Sequence, residues 1–394
     1  MSRSLINMDT IKFIRETKKI SYEYISKKTK ITKEKIKTWE DCLDMSLPTI
    51  RQAKNLAKCY HVPFAGLYMR PEDINIKHLP ILKNMRTVFD ESILDESALN
   101  LAIMELLNVR DFILQTKEEL KETIEKFSIR INHNNADELA KAIRTYFNIT
   151  IDSQLRSSSK RKFYLFVRKQ IEAKQIMIHC YTGVDVRCAR GVAIFFDKLP
   201  IIGINEADRY PAKTFTIIHE LIHILKRSST YCNDFNNSFS TIIEEVFCNA
   251  VAGEFLVPKQ YLIESEKILN RKDSITDADV ESLADKFSVS REVIIRRLLD
   301  LGYVSRENYN KRNAKYKIEY QRDKEEQKEL RKASGTKGIP RNIARETIDK
   351  NSESLYKTLH KGYKQGLFDK QDIARYLNVN QKHVDNVLME ATKG

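Results

Sequence analysis

The stretch Phe215-Thr216-Ile217-Ile218-His219-Glu220-Leu221-Ile222-His223-Ile224-Leu225 sets two histidines four positions apart inside an apolar run. Four positions are close to one helical turn, so both imidazoles project from one face. On such a face two neutral imidazoles can hold one Zn2+ at about 2.0–2.1 Å each. Glu220 follows the first histidine and points beside it. A carboxylate there can take a proton from a water at the metal and pass it to a leaving amine. Read as plain structure, the run is a buried helix with two satisfied core histidines. That reading leaves Glu220 in the middle of an apolar helix, which is costly without a partner.

A catalytic zinc site needs a third protein ligand and an open position. Thr241 to Phe255 reads as a second helix, apolar with small residues, which Pro258 ends. Two adjacent carboxylates, Glu244 and Glu245, lie in its first turns. Helical spacing puts Glu245 on a face with Asn249, Ala252 and Gly253, small enough to lie close against the histidine helix. Glu244 leads instead to Cys248 and Val251. Glu245 is therefore preferred as ligand, with Glu244 the alternative. The plain role for either is a solvated carboxylate favoured by the helix dipole. Asn249, one turn beyond Glu245, is placed to hold a ligand histidine by its second N–H. Two histidines and a glutamate with an open position favour zinc over manganese.

Ahead of the histidine helix, Gln175 to Tyr181, Gly191 to Phe196 and Leu199 to Ile204 are short β-branched or aromatic runs split by turn residues. They predict strands of a small sheet. Pro200 to Asn205 is the expected edge strand, along which an extended peptide would dock by strand addition. An oxyanion needs a donor beyond the metal. Tyr210, Tyr231, His179 and Arg190 are the candidates, and the sequence does not choose between them.

The chain has 394 residues, 42% apolar and 31% charged, which suits a protein of two or three domains with a sizeable core. No apolar run approaches the roughly 18–20 residues that cross a bilayer, and Met1-Ser2-Arg3-Ser4 does not open a signal peptide. A cytoplasmic location with no membrane partner is expected. Six scattered cysteines without a C-x-x-C pair argue for reduced thiols and against a thiolate zinc site. The net charge of +14 points to an acidic partner, nucleic acid being the usual one.

Residues 1–75 read as short helices with tight connections: Met8 to Glu16, Tyr22 to Lys28 capped by Ser21, Lys33 to Glu40 capped by Thr32, Thr49 to Tyr60 after Pro48, and a last turn from Phe64 to Met69. This pattern predicts an all-α helix-turn-helix domain. Its second helix would enter the major groove. Thr32, Lys33, Lys35, Lys37 and Thr38 would then reach the DNA, with Lys27, Lys28 and Lys30 on phosphates. Ile25, Ile36 and Trp39 would be core. The alternative role is protein binding or dimerisation, a homodimer of this chain included. Residues 76–305 form the expected α+β peptidase domain, with helical spacing from Glu91 to Phe147 (Leu99, Ala102, Leu106, Val109 and Ile113 on one face) and a break at 132–135. Val280 to Leu299 reads as a helical prop beneath it. Residues 306–338 are a charged linker or helix. Residues 339–394 are a basic helical module with a solvated face.

Arg187 to Pro258 resembles the ImmA/IrrE family of zinc metallopeptidases. In that family a strand with P-x-I-x-x-N precedes an F-T-x-x-H-E-x-x-H helix, and an E-x-x-x-N/x-A helix ending in L-x-P follows. Here those are Pro200 to Asn205, Phe215 to His223, and Glu245 to Pro258. The resemblance implies a zincin-like fold, Zn2+ on His219, His223 and Glu245, and Glu220 as catalytic base. Ile222 stands where the family commonly has Gly, and the basic residue before Phe215 is represented only by Lys213. The N-terminal segment resembles the Xre-type helix-turn-helix fused to this peptidase in many proteins, through Ile20-Ser21, Ile31-Thr32, Trp39-Glu40, Pro48-Thr49, Leu56-Ala57 and Tyr60 to Pro63. It implies a site-specific regulatory protease acting on a cytoplasmic protein, often a transcriptional repressor, and in some fused forms a toxin partner. The competing expectation is a DNA-binding repressor or antitoxin whose peptidase fold holds a partner. A binding module has no need of Glu220.

Overall fold

The computed structural model describes all residues except 1–2, 42–46, 81, 85–94, 132, 233–241, 266–267, 269–273, 334–341 and 393–394. Four short helices open the chain: α1 (Met8–Thr17), α2 (Tyr22–Thr29), α3 (Lys33–Glu40) and α4 (Ile50–Cys59). Each starts on a side-chain cap, from Asn7, Ser21, Thr32 and Thr49, that accepts a backbone N–H of the first turn. Such caps contribute about 1 kcal/mol each. α2 ends on Lys30 in the left-handed region at φ 63°, and the chain turns directly into α3. Ile14, Ile25, Ile36 and Leu56 form the shared core, and a 3-10 turn over Phe64–Tyr68 closes it. The buried Glu40 carboxylate fixes α3 to α1 by accepting from Arg15 Nε and Tyr22 Oη, each at 2.9 Å.

This unit sits on the start of α5 (Ser97–Glu119). The Ser21 N–H donates to Ser97 Oγ at 2.7 Å, and its hydroxyl donates to Asp95 at 2.5 Å. Leu99, Ala102, Leu106 and Ile113 are buried along α5, as their spacing requires. Helical structure does not continue to residue 131, contrary to the sequence expectation. Lys121 takes φ 55°, and Ile124, Phe127 and Ile129 then bury side chains from a segment without regular secondary structure. α6 (Ala136–Tyr146), α7 (Ile151–Leu155) and α8 (Lys160–Glu172) follow.

The sheet comprises β1 (Lys83–Asn84), β2 (Met177–Tyr181), β3 (Gly191–Ile194), β4 (Ile201–Asn205) and β5 (Thr230–Cys232), in the order β1-β5-β3-β4-β2. β4 runs parallel to β2 and antiparallel to β3, so it is interior. The expectation of a peptide-docking edge at Pro200 to Asn205 is therefore corrected: both sides of that strand are already paired. Side chains alternate between two cores. Ile178, Ala193, Ile202 and Ile204 face α8 and α9 (Tyr210–Leu225). Met177, Val192, Ile194 and Ile201 face the other way, toward α5. Burial on both faces explains why these strands read as continuous apolar runs.

α10 (Ile242–Leu256), α11 (Lys259–Ile263), α12 (Asp277–Lys286) and α13 (Arg291–Asp300) complete the layer around α9. The charged stretch is a helix, α14 (Arg306–Ala333), which buries Tyr309 and Tyr316 and leaves Ile318 exposed. α15 (Ile343–Lys350), α16 (Glu353–Lys364), α17 (Lys370–Tyr376) and α18 (Val384–Thr392) pack on the α5 side of the sheet. Their Leu355, Leu359, Ile373, Val384 and Val387 are core, so this segment is more than a solvated basic face. The buried Arg168 guanidinium ties it to the outer strand. It donates to Glu172 at 3.0 Å, to the carbonyls of Asp349 (2.6 Å) and Ile178 (2.9 Å), and to the Asn351 carbonyl. Among the described residues no helix is long and apolar enough to cross a membrane. Cys59, Cys180, Cys188 and Cys248 are buried free thiols.

Candidate metal centre

Pro211 in the first turn starts α9, where its missing N–H costs nothing. From Thr214 to Ile224 every residue is buried, because the helix lies between the sheet and α10. Helical register then aims His219 and His223 at α10. Their Nε2 atoms stand 3.3 Å apart. Glu245, in the first turns of α10, lays one carboxylate oxygen 3.1 Å from His219 Nε2 and the other 3.0 Å from His223 Nε2. Ligand atoms of these three residues all lie within 4.8 Å of one another. Val251, Ala252 and the larger Ile222 are fully buried in one core, while Gly253 of α10 meets Arg297 of α13.

The electrostatics suit a cation. Burial lowers the pKa of the His219 ring below its ordinary value, more than the Glu245 carboxylate raises it, and so favours the form that can ligate. Burial pushes Glu245 up, but its hydrogen bonds and pairing with His219 and His223 outweigh it and hold the carboxyl at about 2. Two imidazole nitrogens and one carboxylate, convergent and mostly buried, are a donor set that Zn2+ accepts.

Asn249, one turn beyond Glu245, adds a raising contribution to the His219 ring. Glu244 is not among the convergent ligand atoms; its Oε1 lies 3.6 Å from Nδ1 of His223. Cys248 is fully buried, and burial pushes its thiol pKa up.

Glu220 is fully buried beside the first histidine. Its carboxylate lies against the α-carbon of Gly191 at the start of β3. A Cβ there would stand 2.8 Å from Glu220 Cδ and 2.5 Å from Thr216 Cγ2, and closer still to Oε1. Sequence reasoning missed the role of Gly191. A lone glycine opening an apolar strand is the signal that marks a close backbone approach.

Three oxyanion candidates are occupied elsewhere. Tyr210 donates to Asp349 at 2.7 Å, Arg190 pairs with Asp208 at 3.1 Å, and His179 Nδ1 accepts from the Ser352 N–H at 3.3 Å. The side chain of Tyr231 lies outside the described residues, as do Cys42, the Cys232 side chain and Thr241.

At the N-terminal unit, Thr32 caps α3 and is exposed together with Lys35 and Lys37, while Lys33 and Thr38 are half-buried. Lys33 pairs with Glu23 at 2.6 Å, and Thr38 Oγ1 donates to the Glu34 carbonyl at 2.8 Å. Lys35 lies over the Trp39 ring and Lys37 over Tyr22.

A pair of helices that brings two histidines and a glutamate together under a small mixed sheet is the framework of a metallopeptidase-type domain. Residues 180–299 match the Peptidase_M78 family model, the IrrE N-terminal-like domain, and this segment holds His219, Glu220, His223 and Glu245. No curated protein and no solved structure matches the chain.

Proposed function

We propose that this protein is a zinc-dependent endopeptidase that cleaves a specific cytoplasmic regulator, most simply a transcriptional repressor, and that its N-terminal unit is a helix-turn-helix that brings it to DNA. The observation that carries the reading is the convergence of His219, His223 and Glu245, with Glu220 beside the first histidine on the same helix, inside the segment similar to the IrrE N-terminal-like domain.

His219 and His223, through Nε2, and Glu245 would hold the ion. Bound there, zinc would polarise the scissile carbonyl and acidify a water. Glu220 would take that water's proton and later give it to the leaving amine. Gly191 leaves the space in which the Glu220 carboxylate sits, and the apolar surroundings of α9 keep other water away from it. For the N-terminal unit, Lys35 and Lys37 of α3 are the exposed cations that would face the DNA.

Metal content by mass spectrometry tests the site, on wild type and on Glu245→Gln beside Glu244→Gln. About one zinc in wild type, lost only in Glu245→Gln, is expected. Cleavage sites are then sought by mass spectrometry of a cytoplasmic protein extract incubated with wild type or Glu220→Gln. Sites dependent on Glu220 support the enzyme. Zinc binding with no such sites favours a repressor or antitoxin that uses this fold to hold a partner such as a toxin. No bound transition metal overturns the peptidase reading.

A further inference from the structure

An extended substrate needs a strand edge, and the one expected at Pro200 to Asn205 is already paired on both sides. Helical register on α9 shows where another lies. Glu220 points at Gly191 of β3. His219 and His223 precede and follow Glu220 on the helix, and register turns both roughly a quarter-turn to one side of it, where Glu245 of α10 meets them. Tyr210 falls roughly a quarter-turn the other way. Its ring centroid lies 5.4 Å from that of Tyr164 on α8, the helix beneath β2. The metal site therefore faces the opposite half of the sheet, where β5 and β1 lie. Cys232 of β5 pairs with Gly191 of β3, so β5 runs beside the strand that touches Glu220. The outer edge of β5 carries β1, with Lys83 opposite Thr230 and Asn84 opposite Tyr231.

β1 has two residues in parallel pairing, against about 5–6 residues for an ordinary strand. It belongs to the connector that leaves the N-terminal unit. Ile74 and Ile76 pack on the core of that unit, Leu79 and Leu82 pack on the core beside α5, and Lys77 pairs with Asp111 of α5. We propose that the outer edge of β5 is where an extended substrate pairs, and that Lys83–Asn84 holds this edge as a built-in competitor. This rests on the zinc peptidase reading of the site. An open edge offers a row of backbone N–H and C=O groups to an extended chain. A segment of this chain seated there shows that the edge accepts one. So short a strand has few bonds to lose, and a longer substrate segment forms more than it displaces. The anchors of the connector keep β1 at high local concentration beside the edge, which lets so short a strand compete. A loop or tail of a protein suits this place. A helix does not, because its backbone bonds are already made internally.

The experiment compares two probes on the full zinc-loaded chain. One is a fluorescent tetra-alanine hydroxamate, which joins a zinc-binding head to a short strand. The other is acetohydroxamate, the head alone. Fluorescence polarisation gives the affinity of the first, and competition gives that of the second. The proteins are wild type, Asn84→Pro, and the double variant Lys83→Gly with Asn84→Gly. Proline removes a backbone N–H and fixes φ. The glycine pair weakens the strand without forbidding its shape, and it decides the matter if thermal melts show that the proline variant does not fold. The peptide probe is expected to bind Asn84→Pro about tenfold more tightly than wild type, the penalty carried by a site open about one-tenth of the time. The glycine pair should show a smaller gain, and acetohydroxamate should bind all three equally. Equal affinity of the peptide probe for all three proteins overturns the proposal. Weaker binding by the variants also overturns it, by making β1 part of the docking surface. A gain shared by acetohydroxamate overturns it by placing the effect of β1 at the metal. A wild type that takes up no zinc overturns the site reading itself, and its metal content, measured before either probe is added, tells this apart from the other outcomes.

Discussion

Replacing Gly191 by alanine puts a methyl group where the Glu220 carboxyl and Thr216 already sit. The new Cβ would stand 2.8 Å from Glu220 Cδ and 2.5 Å from Thr216 Cγ2, whereas carbon atoms settle at about 3.5–4.0 Å. Both neighbours lie on one buried helix, so the strand or α9 must give by roughly 1 Å. Overpacking of this kind costs about 1–3 kcal/mol. Half of the obstruction is Glu220 itself. In an E220A background the same glycine-to-alanine change should therefore cost less, and the difference between the two costs should fall within the ~0.5–3 kcal/mol typical of touching residues. Urea unfolding of wild type, G191A, E220A and the double variant measures it without any knowledge of the substrate. Zinc binding should be kept in G191A, because Glu220 is not one of the three convergent ligands. Proteolysis should fall about 100-fold, the usual effect of a catalytic group displaced by 1 Å. If the two costs agree within about 0.3 kcal/mol, the carboxylate does not lie against β3, and the placement of the proposed base is wrong.

His179 accepts the Ser352 N–H, and burial with nearby Arg168 lowers its pKa to about 3. A depressed histidine contributes stability that is present above its unfolded value near 6.5 and is lost as pH falls toward 3, so moving from pH 7 to pH 5 should cost about 2 kcal/mol. Urea midpoints at the two pH values check this, and an unchanged slope in His179→Gln would refute it. Arg168→Met removes the paired charge from the buried Glu172 carboxylate and one donor from each of three backbone carbonyls; breaking such a buried pair costs about 3–5 kcal/mol, read by thermal melting. A chelator should lower the melting temperature of wild type and leave Glu245→Gln unmoved, since only a protein that binds the ion is stabilised by it. Lys35→Ala and Lys37→Ala should each reduce the salt slope of DNA binding by about 1, and an unchanged slope in gel-shift titrations would remove these lysines from the DNA face.

Local signals carried much of this structure. Ser21 and Thr32 announced their helices because a cap acts within three residues. The four-residue spacing of His219 and His223 announced a shared face for the same reason. The choice of Glu245 over Glu244 rested on small residues one and two turns along α10, and the geometry separates the two carboxylates in that way. What was not legible depends on pairing between distant segments. Nothing within Pro200–Asn205 says that β2 and β3 will flank it, so the strand read as an edge. The irregular stretch after Lys121 carries apolar residues whose intervals fit a helix as well, and only its packing decides. The C-terminal helices show a basic surface in sequence, while their apolar stripe acquires meaning only from the face of the sheet it covers. Gly191 could be suspected, but its neighbour Glu220 comes from another element.

The clasp between β2 and the segment around Asn351 has a consequence for how the protein is made. Ser352 and His179 are separated by 173 positions, and Arg168 and Asn351 by 183. As the chain leaves the ribosome, the strands and the histidine helix are therefore exposed well before the residues that seal the outer strand exist. Until then Met177, Tyr181 and their neighbours on the other side of the sheet offer an apolar face to any other chain nearby. The order of synthesis thus favours a late closing step, and the period before it is when this protein most needs protection from aggregation.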